Sequence, residues 1–103
     1  MARLIELDRA RHIKRAKKRI KALLREGLVE YPVHATLRLR ERGLDVNDVH
    51  CVMRRGRIIG GGHNAFPETP RRYIVRGKGA DGGELVCVVD IDGVLVLVSA
   101  WPV

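Results

Sequence analysis

Two apolar runs near the C-terminus, ELVCVVDI (84–91) and VLVLVSAW (94–101), constrain the fold of this chain more than any other feature. Both are rich in β-branched residues, and Asp92-Gly93 between them is a strong signal for a two-residue hairpin turn. Both are apolar at successive positions, which predicts central strands covered on two faces. RRYIVRG (71–77), joined to them through KGADGG, is a third strand, and Arg57 to Ile59 predict a short fourth. Alternation places Arg72, Ile74 and Arg76 on one face of the third strand and Arg71, Tyr73 and Val75 on the other. Ser99 and Trp101 share a face near the end of the last strand.

The first half of the chain has helical periodicity. Asp8 to Gly27 predicts one helix, with Asp8 as cap, Gly27 as stop and Ile13, Ala16, Ile20, Leu23 and Leu24 as a narrow apolar stripe. Tyr31-Pro32 breaks the chain, since a residue before proline is biased away from helix. HATLRLRERG (34–43) predicts a second helix ending at Gly43. Asp45 caps a third that runs through Met53, with Val46, Val49, Val52 and Met53 inward, and Gly56 closes it. GGGHNAFPETP is a loop. The order predicts a single α+β domain over residues 1–103, with N-terminal helices packed on a C-terminal antiparallel sheet of three to four strands.

A formal charge of +8 and 20 Lys or Arg against 12 acids point to a polyanionic partner, nucleic acid or an acidic protein. Four aromatic residues, Tyr31, Phe66, Tyr73 and Trp101, count against extended base stacking, so phosphate contacts would carry the affinity. Nine of the basic residues lie between Arg9 and Arg25 with no acid among them. That helix is either a solvated amphipathic face or a docking surface, in which Lys14, Lys17, Lys18 and Lys21, with Arg76 from the sheet, are the candidate nucleic-acid ligands. Cys51 and Cys87 sit in apolar runs as free thiols, without metal-ligand spacing. No metal or cofactor is expected. MARLIELDRARH lacks the apolar core of a signal peptide and no window approaches a membrane span, so a cytoplasmic protein that avoids membranes is expected.

The second helix carries the candidate chemistry. At about 100° per residue, His34, Arg38 and Arg42 fall near 0°, 40° and 80°, with Leu37 near 300° and Ala35 and Leu39 near 100° and 140°. Apolar residues thus flank a His/Arg stripe, and Thr36, Arg40 and Gly43 form the expected solvent face. The stripe is either a buried ion-pair cluster with Glu41, Asp45, Asp48 or Glu84, or a set of cations awaiting an external anion. Arginine binds phosphate bidentately, and histidine moves a proton near neutral pH. Metal-free RNA cleavage needs a base for the 2′-OH, cations for the phosphorane and an acid for the 5′-oxygen. His34, Arg38, Arg42, Arg72, Tyr73 and Ser99 supply candidate groups of these types.

HATLRLRERGL (34–44), GRII (56–59), Phe66-Pro67, Arg72-Tyr73 and Ser99-Ala100-Trp101-Pro102, in that order, resemble one bacterial family of small domains of unassigned function. That family is related to RelE toxins within the barnase–EndoU–colicin–RelE-like fold group. The resemblance covers residues 29–103 and leaves the basic helix at 8–27 outside. It implies a RelE-like fold and places His34, Arg38, Arg42, Arg72 and Ser99 in an active site. The leading expectation is a metal-independent endoribonuclease acting on RNA, such as ribosome-associated mRNA, as the toxin paired with a small acidic antitoxin. The alternative is a non-catalytic RNA- or DNA-binding or target-inhibiting module on the same scaffold.

Overall fold

The computed structural model describes residues 2–62, 66–69 and 71–103, with side chains from residue 9 onward. The chain forms three helices, α1 (Ala2–Arg25), α2 (Val33–Glu41) and α3 (Val46–Arg55), and a five-stranded sheet. The strands are β1 (Val29–Glu30), β2 (Arg57–Gly61), β3 (Arg72–Lys78), β4 (Glu84–Asp92) and β5 (Val94–Pro102), in the spatial order β1-β5-β4-β3-β2. The α+β class and the helices-then-sheet order are as the sequence predicts.

Local chemistry sets most boundaries. Asp45 accepts from the Asn47 and Asp48 amides while Asp48 Oδ2 accepts from the Asp45 amide at 3.1 Å, a reciprocal box that fixes the start of α3. The α2 helix closes through Gly43, whose φ of +71° lets its N–H reach the Arg40 carbonyl and that of Leu44 reach the Leu39 carbonyl. A side chain would strain that left-handed conformation. The α1 helix begins well before Asp8, because no Gly or Pro interrupts the preceding residues and propagation costs less than a new nucleus.

Further details differ from the sequence reading: β2 runs on to Gly61, taking the first two glycines of the expected GGGHNAFPETP loop, of which residues 63–65 and 70 lie outside the described residues. A fifth strand exists: β1 is only two residues long and pairs in parallel with β5, Val29 opposite Leu95 and Glu30 opposite Val96. The β4–β5 reversal turns about Gly93 alone, since Asp92 pairs with Val94 and Ile91 with Leu95. The sheet is packed on one face, not two. Tyr73, Val75, Leu85, Cys87, Val89, Leu95, Leu97 and Ala100 are buried with Ile20, Leu23, Ala35, Leu39, Val49, Val52 and Met53 of the helices. The other face, including Ile74, Val86, Val88 and Val96, stays partly exposed along its length. Finally, Val46, expected inward on α3, is 38 % exposed, while Val49, Val52 and Met53 are fully buried.

Strand β5 carries a bulge that decides which residues reach the open face. Val89 pairs with Leu97 but Val88 pairs with Ser99, so Val98 is an extra residue. Strict alternation would send Ser99 and Trp101 inward beside Leu95 and Leu97. The bulge inverts the remainder of the strand: Ala100 becomes the buried residue and Ser99 and Trp101 turn outward. No helix among the described residues is long and apolar enough to cross a membrane.

Candidate functional site

The α2 helix meets the edge of the sheet through β5. Its contact line is the i,i+4 pair Ala35 and Leu39, 1 % and 2 % exposed. That orientation puts Leu37, at 52 %, and Val33, at 75 %, on the outside. Thr36, expected on the solvent face, is instead half-buried in a groove beside Leu44 and Asp45. The His/Arg stripe therefore does not point into the interior. His34, Arg38 and Arg42 are exposed and run from the solvent side of the helix toward its contact line, Arg42 lying nearest the sheet.

Arg42 is the member of the stripe that the fold positions. Its Nη1 donates to the Ala100 carbonyl at 2.7 Å and to Ser99 Oγ at 3.2 Å, and its guanidinium carbon lies 6.0 Å from the centroid of the Trp101 ring. Every one of these partners is neutral. Among the described residues, the ion pairs of the chain are Arg71–Asp92, Arg72–Asp90 and Arg76–Glu84, and none includes His34, Arg38 or Arg42. Asp45 and Asp48, candidate partners of the stripe in the ion-pair alternative, are used in capping α3, and Asp48 Oδ1 also accepts from the Ala80 amide at 3.0 Å. Arg42 is thus held by one edge of its fork, leaving further N–H donors without a carboxylate.

The other predicted residues divide. Arg72 lies on the open face with Ser99, as alternation and the bulge together require. It is already held bidentately by Asp90, Nε to Oδ1 at 2.8 Å and Nη2 to Oδ2 at 3.0 Å, a hydrogen bond that raises its pKa further. Arg76 bonds Glu84 at 2.8 Å, and that bond lowers the Glu84 carboxyl pKa. Tyr73 does not join them. It points to the helix side, 5 % exposed, where burial raises its phenol pKa and its OH lies 2.5 Å from His12 Nε2. The histidine that Tyr73 meets is therefore His12, which the sequence reading did not single out. Its position marks it on the face of α1 next to Ala16, but nothing local reveals that Tyr73 lies opposite.

Three of the four lysines expected to bind nucleic acid remain available. Lys14, Lys18 and Lys21 are exposed and line, with Arg57, a groove of about 430 Å³ between α1 and β2. Lys17 is committed elsewhere: its ammonium donates to the Met53 carbonyl at 3.2 Å and to the Gly56 carbonyl, at the C-terminal end of α3. Burial, then Lys21, lowers its pKa. Cys51 and Cys87 are free thiols, half-buried and buried. No group of three His, Cys, Asp or Glu that could hold a metal occurs among the described residues.

Together these features define a small basic α+β domain whose helices back one face of a sheet and whose Arg42, Arg72 and Arg76 lie at the other. Residues 31–101 match a family described as a domain of unknown function, DUF4258, and the chain belongs to that family. All of α1, with its lysines, precedes the matched region. No curated protein and no solved structure matches the chain.

Proposed function

We propose that this chain binds RNA along the α2–β5 rim and cleaves it without a metal ion, as a RelE-like endoribonuclease of the kind that serves as a toxin. The observation that carries the reading is Arg42. A guanidinium fixed over the end of β5 by neutral acceptors alone, with no carboxylate to satisfy it, is preorganised for a phosphate. Arg38 is one turn away, and His34 lies two turns, about 12 Å of helix rise, from Arg42. One strand laid along α2 would place successive phosphates against the two arginines and bring a 2′-OH to His34. The excess of 20 basic residues over 12 acids supports a polyanionic ligand, and a small acidic antitoxin would suit the same surface.

In this scheme His34 takes the 2′-OH proton as that oxygen attacks the adjacent phosphorus, and Arg38 stabilises the charge that grows on the phosphorane. Arg42 holds the neighbouring phosphate, and the 5′-oxygen leaves with a proton from water, giving a 2′,3′-cyclic phosphate. Single-turnover cleavage of a mixed RNA pool, with chelator present, tests it. His34→Ala should keep RNA affinity and lose about 10²–10⁴-fold in rate. Arg42→Ala should weaken affinity by about tenfold or more, the loss of hydrogen bonds from a charged donor. Absence of cleavage by the folded wild type, on free RNA and on ribosome-bound message, would remove the enzyme reading.

One observation favours the non-catalytic alternative, a binding module on the same scaffold. His34 and Tyr73, the expected base and acid, lie apart, Tyr73 being buried on the helix side of the sheet. Wild type that binds RNA with a salt-dependent affinity but leaves it intact is the outcome this alternative predicts.

A further inference from the structure

A second concavity, of about 500 Å³, lies between α1 and the end of the sheet where β3 begins and β4 turns into β5. Arg15 and Arg19 project over it from α1, Arg71 reaches it from the start of β3, and Tyr73 and His12 join across its floor. The two rings are 5.7 Å apart between centroids, inclined at 34°, so the hydrogen bond between them spans the gap from helix to sheet. Arg15 and Arg19 stand one turn apart on one side of the helix, where like charges repel, and neither has a carboxylate partner among the described residues. Arg71 has one, Asp92, and both members of that pair are more than two-thirds exposed. Three guanidiniums and one carboxylate therefore surround a groove whose floor carries a phenol and an imidazole.

We infer that this groove is a second anion site, which takes a phosphate group of an RNA strand. Arg15 and Arg19 would clamp its oxygens, Arg71 would complete the charge, and Tyr73 would donate its O–H from the floor while its oxygen accepts from His12 Nε2–H. The excess of positive charge favours an anion there, and the volume, in the range of small-ligand sites, admits a nucleotide unit as well as its phosphate. The inference rests on the proposed RNA ligand but not on cleavage or on the α2 stripe. Arg15, Arg19 and His12 lie outside the region that the family model matches, whereas Arg71 and Tyr73 lie within it. The site is thus made jointly by the family domain and the helix that precedes it.

Two double variants of equal charge loss separate a built site from a generally basic surface. Arg15→Gln/Arg19→Gln removes the clamp, and Arg40→Gln/Arg55→Gln removes two exposed arginines from other elements. Thermal unfolding is followed in millimolar inorganic phosphate against chloride of equal ionic strength. Because phosphate stabilises proteins generally by exclusion, the readout is the difference between the variants. Phosphate should raise the Tm of wild type and of the control by about 3–5 °C more than that of the clamp variant, as expected when it exceeds its dissociation constant a few-fold. Equal shifts in all three proteins would overturn the site.

Binding of short RNAs then identifies the source of the phosphate. The clamp variant should lose affinity and about 0.7 in salt slope, the loss of one phosphate contact on a single strand, while the control changes little. A 5′-phosphorylated strand that outcompetes its 5′-hydroxyl twin only when the clamp is intact assigns a terminal monoester, and equal competition assigns an internal diester. Wild type that binds no RNA, but keeps its clamp-dependent phosphate shift, would defeat the RNA ligand and with it the proposed function. The groove would then stand as a phosphate site alone.

Discussion

Residues of one type do different work here according to what their neighbours leave unsatisfied. Lys14, Lys17, Lys18 and Lys21 are indistinguishable in a charge count, yet only Lys17 reaches backbone carbonyls that α3 leaves without partners at its C-terminal end. A cation there also meets the negative end of the helix dipole. Lys17→Met keeps the apolar stem and removes the ammonium. It should cost about 1–2 kcal/mol in urea unfolding, whereas Lys14→Met should stay within about 0.5 kcal/mol. Equal effects would mean that the contact contributes nothing. Tyr73 carries the same lesson for legibility. Alternation already put it opposite Arg72, so its chemistry could be read from the sequence, but its partner His12, sixty-one residues away, could not.

Among elements, what was legible followed from periodicity and caps, and what was not followed from register. The helices, the hairpin and the α+β order are written in local patterns such as Asp45 with Asp48 and the paired runs around Gly93. The two-residue β1 has no pattern to show, since it exists only because β5 offers it an edge. The bulge at Val98 is equally silent, because VLVLVSAW alternates as well without it. Yet that one extra residue carries Ser99 and Trp101 to the face where Arg42 finds them. The rotation of α2 is not legible in the sequence, because Leu37 looks like a core residue while the narrow seam against β5 accepts Ala35 and Leu39 instead.

Contact between elements also makes a contrast between two glycines. At Gly77 in β3, a β-carbon would come within 2.8 Å of Gly56 Cα, where the end of α3 crosses the sheet. At Gly60 in β2, it would meet only the tip of Ile74 at 3.5 Å, an ordinary contact. Gly77→Ala should therefore cost about 1–3 kcal/mol by pushing α3 from β3. Gly60→Ala should be close to neutral. A urea midpoint for Gly77→Ala equal to that of Gly60→Ala would show that the helix end can shift freely.

For the molecule as a whole, the one-sided core links stability to alkaline pH through a single thiol. Cys87 lies at the centre of the buried face with no exposure, and burial pushes its pKa up from 9.0 to about 12. A raised pKa in the folded state means that the folded chain holds its proton where the unfolded chain has released it. The contribution is complete below pH 9 and disappears as pH climbs toward 12, at about 1.4 kcal/mol per unit. By pH 11 the loss is on the order of 2–3 kcal/mol, a large share of the stability of so small a domain. Tyr73 and Tyr31, whose pKa values burial also raises, add a further loss above pH 10. Cys87→Val fills similar apolar space and cannot ionise. Its denaturant-unfolding free energy should therefore decline more slowly than that of wild type between pH 9 and 11, the curves converging or crossing, with a residual decline from the tyrosines in both. Parallel curves over that interval would show that the thiol ionises as readily in the folded protein as in the unfolded chain.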